Sequence, residues 1–194
     1  MKKGFTLIEL LVVIAILAVL MSVIVVTLNP AEMLKKTRDT KRIADLDALR
    51  TAINLFVTDL GGFSTGTSII TGTCYGVAST SLALVTSCSS TTATSTSQKV
   101  DGTGWIPINF TLISSGAPLS SLPVDPNQSV ASTSTLPSGW HLYIFKANTS
   151  SSTYKLMANM ESSYYSNGGL GDVESKDGGS DLGVYEVGSD VAGL

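Results

Sequence analysis

From Phe5 to Leu28 the chain is apolar with one charged residue, Glu9, in 24 positions. As a helix rising about 1.5 Å per residue, such a run is roughly 36 Å long, enough to cross a hydrocarbon layer about 30 Å thick. A carboxylate in hydrocarbon costs about 3 kcal/mol on insertion scales, whereas each Leu, Ile, Val or Phe favours insertion by about 0.3–0.6 kcal/mol. The apolar majority outweighs Glu9, so the segment is expected to span a membrane. An ordinary secretory signal would have a shorter apolar core ending in a small-x-small cleavage site. No such site follows before Asn29-Pro30.

Glu9 then needs a reason. Lys2-Lys3-Gly4-Phe5 places a small residue after a dibasic start, a plausible cleavage point. Cutting after Gly4 would make Phe5 the amino terminus, with its cationic amine i to i+4 from Glu9. The alternative is a Glu9 that snorkels to the nearby interface or is protonated and does nothing.

Met1-Lys2-Lys3-Gly4-Phe5-Thr6-Leu7-Ile8-Glu9 resembles the class III leader and N-terminal helix of type IV pilins and the pseudopilins of type II secretion and related machines. The resemblance covers Met1 to about Leu28 strongly and the rest of the chain loosely. It implies that a prepilin peptidase cuts after Gly4 and methylates Phe5. It also implies that Glu9 pairs with the amine of a neighbouring subunit as a filament assembles from an inner-membrane platform. The implied fold is α+β, a long helix packed against a small antiparallel β-sheet. The implied organisation is a leader at 1–4, a transmembrane and assembly helix at 5–28, an amphipathic half-helix at 29–60 and an extracellular domain at 61–194. Before assembly the chain would sit in the cytoplasmic membrane amid lipid, with its C-terminal domain outside, and afterwards in a surface filament with other pilins or pseudopilins. Such a filament would serve adhesion or motility, protein secretion, or DNA uptake. The competing reading is a monomeric membrane-anchored adhesin or binding protein.

Charge is segregated along the chain. Residues 1 to 50 carry eight Lys/Arg against five Asp/Glu, net +3, and the remainder four against ten, net −6. An acidic outer domain gives no sign of nucleic acid as a main ligand. Lys35, Lys36, Arg38, Lys41 and Arg42 after the span outnumber Lys2 and Lys3 before it, which by the positive-inside rule alone would keep the C-terminal part inside. The Ser/Thr-rich, cysteine-bearing downstream domain and the pilin resemblance argue for the opposite orientation.

Asn29-Pro30 interrupts the apolar run, and proline is well tolerated in a first helical turn, so the helix is expected to kink or restart there. Ile43, Leu46, Leu49 or Arg50, Ile53, Phe56 and Leu60 then recur at three- and four-residue steps, an apolar stripe suited to packing under a sheet. The opposite face carries Lys35, Asp39, Arg42, Asp45 and Asp47. Gly61-Gly62 stops the helix.

Phe63 to Gly104 reads as a long polar loop, Ser/Thr-rich from Ser79 to Ser97. Cys74 and Cys88 lie within it; in an exported domain they read as one disulfide, with two free thiols as the alternative. Trp105 to Ile113 is a strand or a short helix. Leu122-Pro123-Val124-Asp125-Pro126 cannot lie in a sheet interior and reads as a rigid connection. It also resembles the turn preceding the sheet in major pseudopilins, with Asn127 where those proteins commonly have Trp. Trp140 to Ala147 and Thr153 to Met160 alternate in polarity across a turn at Asn148 to Ser152, predicting an antiparallel hairpin. Val184 to Val187 suits a last edge strand.

Gly168 to Asp181 combines glycines with Asp172, Asp177 and Asp181, hard oxygen ligands suited to Ca²⁺. The spacing is not that of an EF-hand, and a solvated acidic turn is the alternative; major pseudopilins carry a calcium loop in this region, which the stretch resembles in composition only. His141, the one histidine, reads as a surface strand residue. No nucleophile, phosphate loop or metal cluster has a supporting spacing, so an enzyme is not expected.

Overall fold

The computed structural model of the chain describes residues 4–77, 93–128 and 141–194. Two compact units emerge, residues 1–35 and 36–194. In the first, α1 (Leu7–Leu28) is the apolar run, and none of its Leu7–Ile24 window is buried within the protein. α1 ends where Asn29 adopts a left-handed backbone, φ 40° and ψ 76°. Pro30 then opens α2 (Pro30–Leu60), so the helix restarts.

In the second unit the stripe of α2 is buried as its spacing requires. Leu46, Leu49, Ile53 and Phe56 are fully inside, and Leu49, not Arg50, is the residue turned to the core. Gly61 and Gly62, with φ of 76° and 127°, end the helix in conformations that a side chain would strain. The stripe packs on an α+β sheet built mainly from four antiparallel strands: β1 (Cys74–Gly76), β3 (Ile144–Asn148), β4 (Thr153–Ala158) and β5 (Tyr185–Gly188). A two-residue strand, β2 (Ala93–Thr94), runs parallel to β1 at the edge, giving the order β2-β1-β3-β4-β5.

The expected hairpin is β3–β4, in register from Ile144 opposite Met157 to Asn148 opposite Thr153; Trp140 lies outside the described residues. Side-chain alternation directs Tyr143, Phe145, Ala147, Tyr154, Leu156 and Ala158 into the cluster that holds the helix stripe. Phe56 sits 6.1 Å from Phe110 and 6.4 Å from Phe63, centroid to centroid. Tyr154 bridges the layers, its hydroxyl donating to Arg50 O at 3.1 Å and Asn54 Oδ1 at 2.7 Å; burial pushes that phenol up to about 12.

Two expectations are corrected and one is narrowed. Phe63 to Gly104 is not simply a polar loop, because Phe63 and Tyr75 enter the core and β1 supplies an inner strand. Short strands with one large apolar side chain carry almost no periodicity to read. Trp105 to Ile113 forms no strand and is helical only in a short 3₁₀ helix at Phe110–Leu112, before which Trp105, Ile106 and Ile108 are buried in irregular backbone. His141 is not on a surface strand; it precedes β3 and keeps 18% side-chain exposure beside buried ions.

Candidate assembly site

At the start of α1, Gly4, Phe5 and Thr6 are exposed and non-helical, and a Cβ built on Gly4 would meet nothing within 4 Å. The Gly4–Phe5 bond thus lies in exposed, non-helical backbone. Thr6 caps the helix. Its hydroxyl accepts from Glu9 N at 3.3 Å, while Glu9 Oε2 accepts from Thr6 N at 2.9 Å and from Thr6 Oγ1 at 2.7 Å. This is a reciprocal capping box. It supplies a reason for Glu9 that residue counting missed, although Thr-x-x-Glu ahead of an apolar run is the sequence sign of such a box.

The box satisfies the N–H groups of Thr6 and Glu9 and places a carboxylate where the helix N-terminus is positive. Both local bonds end on Oε2. Around it Phe5, Ile8, Glu9, Val12 and Val13 line a shallow hollow of about 400 Å³. Phe5 is 81% exposed and Ile8 70%. This apolar face has no partner among the described residues of its own chain.

Residues 1–25 match the prokaryotic N-terminal methylation motif. That motif is the class III prepilin leader of type IV pilins and pseudopilins. No curated protein and no solved structure matches the chain. The matched motif and the exposed apolar helix, long enough to cross a membrane, fit a membrane-anchored protein.

In the second unit, a buried ion cluster ties α2 to the sheet side. Arg42 donates to Asp39 Oδ1 at 2.6 Å and, through Nε and Nη2, to both oxygens of Asp125 at 2.6 and 2.8 Å. It also bonds Glu161, to which Arg38 adds bonds of 2.6 to 3.1 Å. Asp39 accepts the backbone N–H groups of Glu161 at 3.0 Å and Ser162 at 2.8 Å. His141 Nδ1 lies 3.8 Å from Glu161 Oε1. Burial disfavours the Arg42 cation, but the hydrogen bonds and charges of Asp125, Glu161 and Asp39 more than offset it, so its proton is held more tightly than usual. Burial would also raise Glu161, yet the bonds from Arg38 and Arg42 bring it down to about 2.

Asp39 and Arg42 were expected on the solvated face of α2; both are fully buried. One helix face cannot reveal partners 83 and 119 residues away. Asp125 belongs to the Pro-flanked connection, whose rigidity fixes its carboxylate for Arg42. On the other sheet face, Lys155 Nζ and Glu186 Oε1 form a second fully buried pair at 2.8 Å. Glu186 Oε2 also accepts from Ser180 N at 2.6 Å and Asp181 N at 3.1 Å.

Cys74 is buried in β1; its expected partner Cys88 lies outside the described residues, as does most of the Ser/Thr tract. Asp172, Asp177 and Asp181 are described but spend their oxygens locally. Asp172 accepts from Gly168 N at 2.9 Å, Ser175 N at 3.0 Å and Ser175 Oγ at 2.5 Å. Asp177 accepts from Gly179 N and Glu186 N, and Asp181 from Gly183 N. Among the described residues no group of three or more His, Cys, Asp or Glu side chains is placed to hold a metal ion.

Proposed function

We propose that the chain is a structural subunit of a type IV pilus-like filament. Export leaves residues 1–4 cytoplasmic and residues 61–194 outside, prepilin peptidase hydrolyses the Gly4–Phe5 bond, and the new Phe5 amine is methylated. The helix then leaves the bilayer for a bundle in which apolar packing replaces lipid contact and Glu9 meets a neighbour's Phe5 amine. The observation that carries this reading is Glu9, held by Thr6 on one oxygen at the head of an exposed apolar helix within the matched motif.

A carboxylate in low dielectric is strongly sensitive to loss of its partner. Glu9→Leu should therefore insert normally and fail to assemble. The test is intact mass and N-terminal analysis of protein sheared from cells, alongside microscopy of the Glu9→Leu strain. A chain beginning with N-methylated Phe5, and no filaments from Glu9→Leu, is the expected result. An uncleaved chain confined to membranes would sink the proposal and favour a monomeric anchored binding protein.

We further propose that Cys74 and Cys88 are joined in a disulfide, which by loop-closure entropy would contribute about 3 kcal/mol.

A further inference from the structure

Lys155 and Glu186 take no part in the assembly site, yet they bring together a buried nucleophile and a buried acyl group. β4 and β5 pair with Lys155 opposite Gly188 and Met157 opposite Glu186, so Lys155 and Glu186 are diagonal neighbours on one sheet face. Gly188 puts no side chain between them; a Cβ there would sit 3.0 Å from Lys155 Cα. Both side chains are 0% exposed, and Lys155 Nζ lies 2.8 Å from Glu186 Oε1. Lys146 stands directly opposite Lys155 in β3, so two like charges share the face. Burial first, and then the Lys155 cation, loosen the Lys146 proton.

The Glu186 carboxyl is held asymmetrically. Oε2 accepts from Ser180 N at 2.6 Å and Asp181 N at 3.1 Å, a pair of backbone N–H groups of the kind that stabilises a developing oxyanion. Glycine at 179 permits this approach, since a Cβ there would strike Oε2. Asp177 closes the same turn, accepting from Gly179 N at 2.8 Å and Glu186 N at 2.6 Å. Oε1, in contrast, has no hydrogen-bond partner among the described residues and faces the Lys155 ammonium outside hydrogen-bond geometry. Nζ itself is steered by Ser180 Oγ and Val191 O, both at 3.2 Å.

We infer that this is a site of self-catalysed cross-linking, in which Lys155 Nζ and Glu186 Cδ become joined as an isopeptide amide. The ammonium passes one proton to Oε1, leaving an amine and a carboxylic acid. Nζ then adds to Cδ, and negative charge gathers on Oε2, where the Ser180 and Asp181 N–H groups meet it. Oε1 takes a second proton from Nζ through Ser180 Oγ, the Cδ–Oε1 bond breaks, and water leaves. Oε2 remains as the amide oxygen and the last ammonium hydrogen stays on the amide nitrogen, with no redox change and no co-reactant. Burial favours the step twice. Loss of hydration brings the neutral pair closer in energy to the ion pair, and groups fixed side by side react as if at about 10⁵–10⁸ M. The product ends the repulsion between Lys146 and Lys155 and ties β5, at the sheet edge, to β4. Folding delivers the ion pair, and the amide follows it. The inference is independent of filament assembly.

The test is tryptic peptide mapping by mass spectrometry of the full chain. Chain purified folded from membranes is compared with chain held in guanidinium and with the same chain refolded into detergent micelles and sampled from minutes to days. Unlinked, the digest contains 147–155, 156–176 and a fragment that begins at Asp177. Linked, cleavage after Lys155 is lost, and 147–176 appears joined to the Asp177 fragment at about 18 Da below the sum of the two. The branched fragment is expected in folded chain, accumulating with time after refolding, and is expected to be absent from chain in guanidinium and from Lys155→Arg. Separate 147–155 and Asp177 fragments at every time in folded chain would overturn the inference. So would a branched fragment that forms equally in guanidinium, because the folded site would then contribute nothing.

Discussion

Replacing Arg42 with Leu removes the side chain that, among the described residues, touches Asp39, Asp125 and Glu161 together. Leu fills part of the vacated volume, but Asp39 and Asp125, 0% and 3% exposed, lose their charge partner. Breaking a buried ion pair from one side costs about 3–5 kcal/mol. For a unit of this size about 2–4 °C accompanies each kcal/mol, so thermal unfolding of the full chain in nanodiscs should shift down by about 10 °C. Arg42→Lys keeps the charge and loses the bidentate fork to Asp125, and should fall between the two. The pH profile adds a second readout. Glu161 is held at about 2 against an ordinary 4.5, so its carboxylate favours the folded state above about pH 4.5 and that contribution disappears as pH falls toward 2. Without Arg42 the acid loss should be shallower, because Arg38 alone remains to hold Glu161 ionised. A shift of under about 3 °C, with an unchanged acid limb, would refute the claim that this cluster fastens α2 to the rest of its unit.

Three further outcomes are expected. Glu186→Gln leaves Lys155, 0% exposed, without its counter-charge, and should cost about 3–5 kcal/mol in denaturant unfolding, whereas replacing both Lys155 and Glu186 with Met should cost much less. Thr6→Ala removes the cap accepting from Glu9 N and should weaken the first turn by about 1 kcal/mol, read as about fivefold faster amide exchange at Glu9 with leader cleavage unchanged. Millimolar Ca²⁺ should leave the unfolding temperature unchanged, since Asp172, Asp177 and Asp181 already accept N–H groups in separate turns; a rise of several degrees would show that the loop rearranges around the ion.

The segment from Gly4 to Leu28 was legible because its physics is local. Length, hydrocarbon content and a single Glu decide that it is an apolar helix with an anomaly near its start, and the motif match, residues 1–25, covers most of it. The stripe of α2, the stop at Gly61-Gly62 and the β3–β4 hairpin were legible for a similar reason, since periods of 3.6 and 2 are written into consecutive residues. Which polar residues of α2 are buried was not legible. Asp39 and Arg42 sit where a solvated face was expected, and they are inside because Asp125 and Glu161 arrive from distant loops to complete their bonds. β1 was hidden likewise, its three residues too short for any period and made a strand by pairing with β2 and β3. Local pattern fixed the helices and the hairpin; only the folded chain, by bringing remote charges and a short strand together, decided what anchors them.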